Sequence, residues 1–168
     1  MKKKITVMLL CACMSISICT GVQAADFSSG DSDSKVEIEF QEEYGEWPCC
    51  KLFIQPFVEN SILHGFEGRE SGGMIRITGH IDGSRFRLCI EDNGCGMNED
   101  TEKLMQQILM EKHTLDLAGT GIGIQNVVTR LRMYYGEELS VVLESEPEKG
   151  TKFTFWLPIP ENPEKDIE

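Results

Sequence analysis

The run Gln55-Pro56-Phe57-Val58-Glu59-Asn60-Ser61-Ile62-Leu63-His64-Gly65 combines the pattern of a core helix with an acid and an amide side by side. Pro56 suits a first helical turn and Gly65 a helix end. Ile54, Phe57, Val58 and Ile62 recur at helical spacing and are expected to pack inward. That leaves Glu59 and Asn60, with Leu63 and His64 one turn on, along an adjoining face able to line a cavity. A carboxylate beside a carboxamide on a rigid helix has a chemical use. The amide oxygen can ligate a hard cation such as magnesium, and the acid can orient or deprotonate a water or hydroxyl. On a solvated face the same pair would do neither, so its meaning depends on partners elsewhere in the chain.

Toward the C-terminus, residues 66–73 form a glycine-bearing turn. Ile75, Ile77 and Ile81 then alternate in one expected strand, and Phe86, Leu88 and Ile90 in the next, joined as a hairpin by Asp82-Gly83-Ser84. The second strand runs into Glu91-Asp92-Asn93-Gly94-Cys95-Gly96-Met97, where two glycines free the backbone just as an aspartate reaches a strand end. Loops at strand ends are where sites are built. Residues 98–112 have helical spacing at Leu104, Met105, Ile108 and Leu109, are polar for their length, and read as a cover between two glycine loops. Gly119-Thr120-Gly121-Ile122-Gly123 follows, and Ile124, Val127, Val128, Leu131, Tyr134 and Tyr135 repeat at helical spacing up to Gly136. Glycines feeding a helix N-terminus make a phosphate cradle, because exposed amides and the helix dipole both point at the anion. Two last strands, residues 139–144 and 151–157, flank Pro147-Glu148-Lys149-Gly150, and Pro158 and Pro160 stop the sheet.

Toward the N-terminus, Val36, Ile38 and Phe40 alternate with acids as a half-buried strand should, and residues 41–50 read as a loop containing Trp47-Pro48. Residues 26–35 read as a disordered Ser, Asp and Gly linker with nothing to bury. Residues 1–25 read as an export leader: a basic start at Lys2, Lys3 and Lys4, an apolar run, and a small-residue cleavage pattern before Ala25. The run is roughly 18 residues, diluted by Ser15, Ser17, Thr20 and Gly21, which favours a signal peptide over a membrane span. Retained in the membrane, it would leave the domain outside. Residues 161–168 are an acidic tail, expected to be disordered.

With 168 residues, the chain has room for one compact domain of roughly 120 to 130 residues. Its 16 basic and 28 acidic residues give a formal charge of −12, which argues against non-specific nucleic-acid binding. A phosphate held here must be held locally, by backbone amides or a metal. Of the seven cysteines, Cys11, Cys13 and Cys19 lie in the leader, and Cys49, Cys50, Cys89 and Cys95 lack Cys-x-x-Cys spacing. A zinc site is not expected, and Cys89 and Cys95 read as ordinary thiols.

A Glu-Asn helix, a strand ending in Asp-x-Gly-x-Gly, a polar cover and a Gly-x-Gly-x-Gly loop opening an amphipathic helix resemble, in that order, the boxes of the GHKL ATP-binding superfamily of gyrases, a heat-shock chaperone, histidine kinases and mismatch-repair ATPases. Within it, Gln55-Pro56-Phe57-Val58-Glu59-Asn60, the run from Gly119 through Gln125-Asn126-Val127, Arg130-Leu131, Tyr135-Gly136 and Gly150-Thr151 resemble the catalytic domain of LytS/YehU-type sensor histidine kinases, over residues 36–160. The resemblance implies an α+β, two-layer α/β sandwich of Bergerat type, with a mixed sheet covered on one face by helices. It implies that Asn60 ligates magnesium bridging the ATP phosphates, that Glu59 is the base or water-orienting group, and that Asp92 accepts the adenine amino group with Thr151 nearby. Gly94 and Gly96 would admit the base, Gly119, Thr120, Gly121, Ile122 and Gly123 would wrap the phosphates, and residues 97–118 would be the lid. His64, at the end of the pocket helix, either touches a phosphate or caps the helix.

Two departures bear on what this implies. Leu63 stands where many members carry a lysine or arginine, so one cationic phosphate contact is missing. Ahead of Val36 stand a leader and a linker rather than a helix with a phosphoacceptor histidine, so transfer is expected to a histidine on another chain, with a response regulator beyond it. The nucleotide domain implies the cytoplasm, whereas the leader implies export or anchoring. Asn60-Ser61-Ile62-Leu63-His64-Gly65-Phe66-Glu67 also resembles stand-alone serine kinases of the anti-sigma type, and a non-catalytic nucleotide-binding or interaction module has the same fold.

Overall fold

The computed structural model describes residues 23–27, 34–39, 50, 52–110 and 122–159. Strands β1 (Gln23–Phe27), β2 (Ser34–Glu39), β3 (Met74–Asp82), β4 (Arg85–Asp92), β5 (Ser140–Glu146) and β6 (Gly150–Pro158) form one sheet in the order β1-β2-β3-β4-β6-β5. The sheet is mixed: β2 and β3 run parallel, and every other neighbouring pair is antiparallel. Parallel neighbours need a crossover, and helix α1 (Gln55–Asn60), which continues as a π-helical stretch (Ser61–Gly65), lies within it. Helices α2 (Glu99–Met110) and α3 (Ile122–Tyr135) stand between β4 and β5, and α3 passes into a 3₁₀ turn, Gly136–Glu138.

Alternation along the strands sends one set of side chains to the helices. Val36, Ile75, Ile77, Leu88, Ile90, Phe153, Phe155, Leu157 and Leu143 are buried on that face, in one cluster with Phe57, Val58, Ile124, Val127, Val128 and Leu131. Phe57 anchors the junction, its ring edge-on to Phe153 at 4.8 Å and to Phe155 at 5.1 Å. The two-layer arrangement therefore follows from period-2 burial in the sheet and 3.6-residue burial in the helices.

On the opposite face the register aligns Glu37, Arg76, Glu91, Lys152 and Glu144 across five strands, in alternating sign. Arg76 meets Glu37 at 3.4 Å and Lys152 meets Glu144 at 3.2 Å. Lys35, with a smaller contribution from Arg76, holds the Glu37 carboxyl below its ordinary range. The next row on this face runs Glu39, Thr78, Cys89, Thr154 and Val142, and Cys89 and Thr154 are buried there with Sγ and Oγ1 3.6 Å apart. Arg87 lies over the Trp156 ring, 5.9 Å from its centroid, in the row beyond.

The structure differs from the sequence-based expectation in three respects. The expected single helix over residues 55–65 divides at Ser61, and Phe66 N–H reaches the Ser61 carbonyl at 3.0 Å, five residues back. Leu104 and Tyr134, both in the expected apolar stripes, are exposed, so the buried faces of α2 and α3 are narrower than the spacing suggested. Residues 26–35, read as a disordered linker, enter the sheet at both ends, Asp26 and Phe27 in β1 and Ser34 and Lys35 in β2. Main-chain pairing needs no apolar side chain, which is why polar composition was a poor guide there.

Residues 23–25 of the expected leader lie in β1, whereas residues 1–22 and the acidic tail lie outside the described residues. Among the described residues no helix is long and apolar enough to cross a membrane. Cys50, Cys89 and Cys95 are free thiols; Cys49 is outside the described residues.

Candidate functional site

Asp92 ends β4 on the helix-facing side of the sheet, opposite Ile75 on one neighbour and Thr151 on the other. A carboxylate there must be supplied with donors, since an unpaired buried acceptor is costly. Three are in place. The main-chain N–H groups of Gly94 and Thr151 donate to Oδ1 at 2.9 and 3.2 Å, and the Ser61 hydroxyl donates to Oδ2 at 2.6 Å. Asp92, Ser61 and Thr151 are all buried.

Ser61 is the residue after Asn60, so this bond ties the helix carrying Glu59 and Asn60 to the aspartate loop. A second tie runs through the main chain: the Cys95 N–H donates to the Gly65 carbonyl at 2.8 Å, and Cys95 Sγ reaches the His64 carbonyl at 3.3 Å. The loop itself is pinned by Asn93. Its side-chain oxygen accepts from Met74 N–H at 2.8 Å and from Arg69 at 3.1 Å, and its amide donates to the Gly72 carbonyl at 3.0 Å.

Two glycines are demanded by this geometry. A Cβ on Gly94 would sit 2.5 Å from the Gly65 carbonyl oxygen. Gly96 has φ +67° and would bring a Cβ within 2.1 Å of the Glu146 carbonyl oxygen. Close backbone approach thus explains the Asp-x-Gly-x-Gly pattern before any ligand is considered.

Beyond Gly96, the Met97 N–H donates to Ser145 Oγ at 2.9 Å, and that hydroxyl is 3.1 Å from Thr151 Oγ1. Met97 is buried, and α2 begins two residues on with Asn98 Oδ1 accepting the Thr101 N–H at 2.9 Å, an N-cap followed by acids in the first turn. At the far end of α2, the Arg132 guanidinium of α3 donates to the Leu109 carbonyl.

Of the residues singled out in the sequence, Asp92, Gly94, Gly96 and Thr151 therefore converge, with Thr151 contributing its main-chain N–H. Glu59 is exposed and Asn60 half-buried at the end of α1, immediately before Ser61. Gly123, at the start of α3, packs beside α1, where an added Cβ would lie 3.9 Å from Pro56 Cβ. Ile122 opens α3; Gly119, Thr120 and Gly121 lie outside the described residues. His64 is exposed and contributes its carbonyl to Cys95 rather than a side-chain cap. Leu63 is 66% exposed beside it.

Ser61, Ser145 and Asn93 were missed by sequence reasoning. Ser61 falls one helical turn after Phe57, and Ser145 falls two residues after Leu143, so each is a polar residue in an inward-facing phase. That misfit was the available signal.

A shallow depression of about 220 Å³ opens beside Asp92 and is also lined by Glu91, Ser145, Lys149, Thr151 and Lys152. Its lining does not reach Glu59 or Asn60, so convergent donors, not cavity size, mark the site. Among the described residues no three His, Cys, Asp or Glu side chains come together as a metal cage. A single carboxamide beside a carboxylate instead suits a cation that brings most of its oxygen ligands with it, as magnesium does with phosphates.

The family model for histidine kinase-, DNA gyrase B-, and HSP90-like ATPases matches residues 50–161. Sensor histidine kinase YpdA of Escherichia coli (strain K12) is 32% identical over 112 residues, covering 66% of this chain and 18% of that protein. Sensor protein LytS of Staphylococcus haemolyticus is 32% identical over 115 residues, covering 66% of this chain and 19% of that protein. The chain thus spans about a fifth of the length of these relatives. The blue-light activated histidine kinase of Erythrobacter litoralis EL346 superposes with a TM-score of 0.49 at 19% identity, over 77% of this chain and 36% of that one. The match over residues 50–161 takes in α1, the Asp92 loop, α3 and β6, and the chain belongs to the family of histidine kinase-, DNA gyrase B-, and HSP90-like ATPases.

Proposed function

We propose that this domain binds ATP with magnesium and donates the γ-phosphoryl group to a histidine presented by a partner chain in a two-component system, with a response regulator as the later acceptor. The observation that carries the reading is the convergence on Asp92. A buried carboxylate at a strand end, held by Gly94, Thr151 and Ser61, offers acceptor lone pairs only, which suits the amino group of adenine and not the carbonyl of guanine. Ser61 then fixes where Glu59 and Asn60 stand relative to that base.

Asn60 would hold magnesium through its carboxamide oxygen, and the ion supplies charge neutralisation at the phosphates when bound. Glu59 accepts the proton from one imidazole nitrogen as the other, unprotonated nitrogen bonds to the γ-phosphorus; the bond to the bridging oxygen breaks, and its electron pair leaves on ADP. The N-terminus of α3, where a Cβ on Gly123 would lie beside Pro56, would offer its first-turn amides to the phosphates. Such chemistry needs positioning and charge neutralisation more than covalent help, which fits a site made from helix ends and glycine loops.

The test is titration of the full 168-residue chain with ATP, with and without magnesium, followed by thermal shift. Ligand binding to the native state raises its stability by mass action. Magnesium-dependent stabilisation that is lost in Asn60→Ala supports the reading, and a folded chain indifferent to millimolar ATP overturns it.

A further inference from the structure

Glu59 is exposed, and a carboxylate on a freely rotating side chain is a poor base because little of its population points at the nucleophile. Its one hydrogen-bond partner among the described residues is Gln55, whose side-chain Nε2 donates to Oε1 at 2.6 Å. Gln55 sits one turn earlier on α1 and is half-buried, between the buried Ile54 and the half-buried Pro56. The first turn beneath it is tightly held, since the Ile54 carbonyl accepts the N–H groups of both Phe57 and Val58, at 3.1 and 3.2 Å. A Cβ on Gly123 would lie 3.9 Å from Pro56 Cβ, so the pair stands where α1 comes beside the start of α3.

We infer that Gln55 is a positioning residue for the phosphoryl transfer: its carboxamide clamps one oxygen of Glu59 and leaves Oε2 to take the proton from the nucleophile. The inference rests on the reading of Glu59 as the base. An ordinary solvated pair four residues apart on a helix would alter stability slightly and turnover not at all.

The experiment measures magnesium-ATP hydrolysis by the full chain, where water replaces the histidine as nucleophile and gives its proton to Glu59. Gln55→Ala should lower kcat about tenfold with KM for ATP unchanged, because the lost contact orients the base and does not touch the nucleotide. Gln55→Glu keeps the shape but exchanges the donor for an acceptor, and should fall at least as far. In a Glu59→Gln background, Gln55→Ala should have no further effect, since two residues acting through one group are non-additive. Thermal shift with ATP confirms that each variant still folds and binds. If Glu59→Gln lowers kcat but neither Gln55 variant does, or if their effects add, the positioning role is wrong and the base stands. If Glu59→Gln leaves kcat unchanged, the reading of the base fails and the inference falls with it.

Discussion

The Ser61 hydroxyl donates to Asp92 Oδ2 at 2.6 Å and also lies 3.2 Å from the Phe57 carbonyl, at the point where α1 widens into its π-helical turn. One side chain therefore joins the helix of Glu59 and Asn60 to the strand end that would read the base. π-Helical turns inside helices recur at functional sites, and here the turn carries the linking residue. Ser61→Ala is expected to cost about 1–3 kcal/mol of stability, since it strips a donor from a buried carboxylate. Urea denaturation checks this: the midpoint should fall at unchanged m-value, and ATP affinity should fall with it.

Asp92→Asn replaces an acceptor-only group by one that also carries donors, in a position supplied by three N–H and O–H groups. Adenine nucleotides should lose more affinity than guanine nucleotides in paired calorimetric titrations. Equal loss for ATP and GTP would count against the adenine assignment.

Gly96→Ala places a Cβ in the left-handed region and within 2.1 Å of the Glu146 carbonyl. Neither the loop nor the β5–β6 hairpin can yield without breaking the Cys95 carbonyl's bond to Glu148 N–H at 2.8 Å. Destabilisation of more than about 2 kcal/mol is expected. Thermal unfolding of the purified variant measures it.

Leu63, 66% exposed next to His64, stands where the family resemblance implies a cationic contact to the phosphates. Leu63→Lys should tighten ATP about three- to tenfold at low salt and lose most of that gain at high salt, because exposed charge pairs are screened. Titration at two ionic strengths decides it, and a gain independent of salt would show that the lysine acts elsewhere.

Phe57→Ala removes the ring that meets both Phe153 and Phe155. Loss of about 3–5 kcal/mol is expected from the transfer and cavity terms together. Chemical denaturation should show it, accompanied by weaker nucleotide binding, because α1 carries Glu59 and Asn60 on its outer side.

The alternation in β3, β4 and β6, the burial of Ile124, Val127, Val128 and Leu131 in α3, and the glycine-bearing loop after Asp92 were all legible in the chain, since each is a local pattern with a fixed period or a fixed backbone demand. The pairing of Glu59 and Asn60 on a helix next to a strand-end aspartate was legible as an ordered set of boxes. What local pattern could not supply was the strand order, in which β6 enters between β4 and β5 and brings Thr151 opposite Asp92. Nor could it supply the Ser61 and Ser145 contacts, which join residues 31 and 48 positions from their partners Asp92 and Met97. Periodicity reports which face a residue takes, and so the sequence by itself determined most of the elements and the centres of their buried faces, and it singled out the acid, the amide and the glycines, but not β1, the break at Ser61 or the exposure of Leu104 and Tyr134. Which polar group meets which depends on register between distant segments, and only the tertiary structure decided that Asp92 would be held by a helix residue on one side and a strand residue on the other.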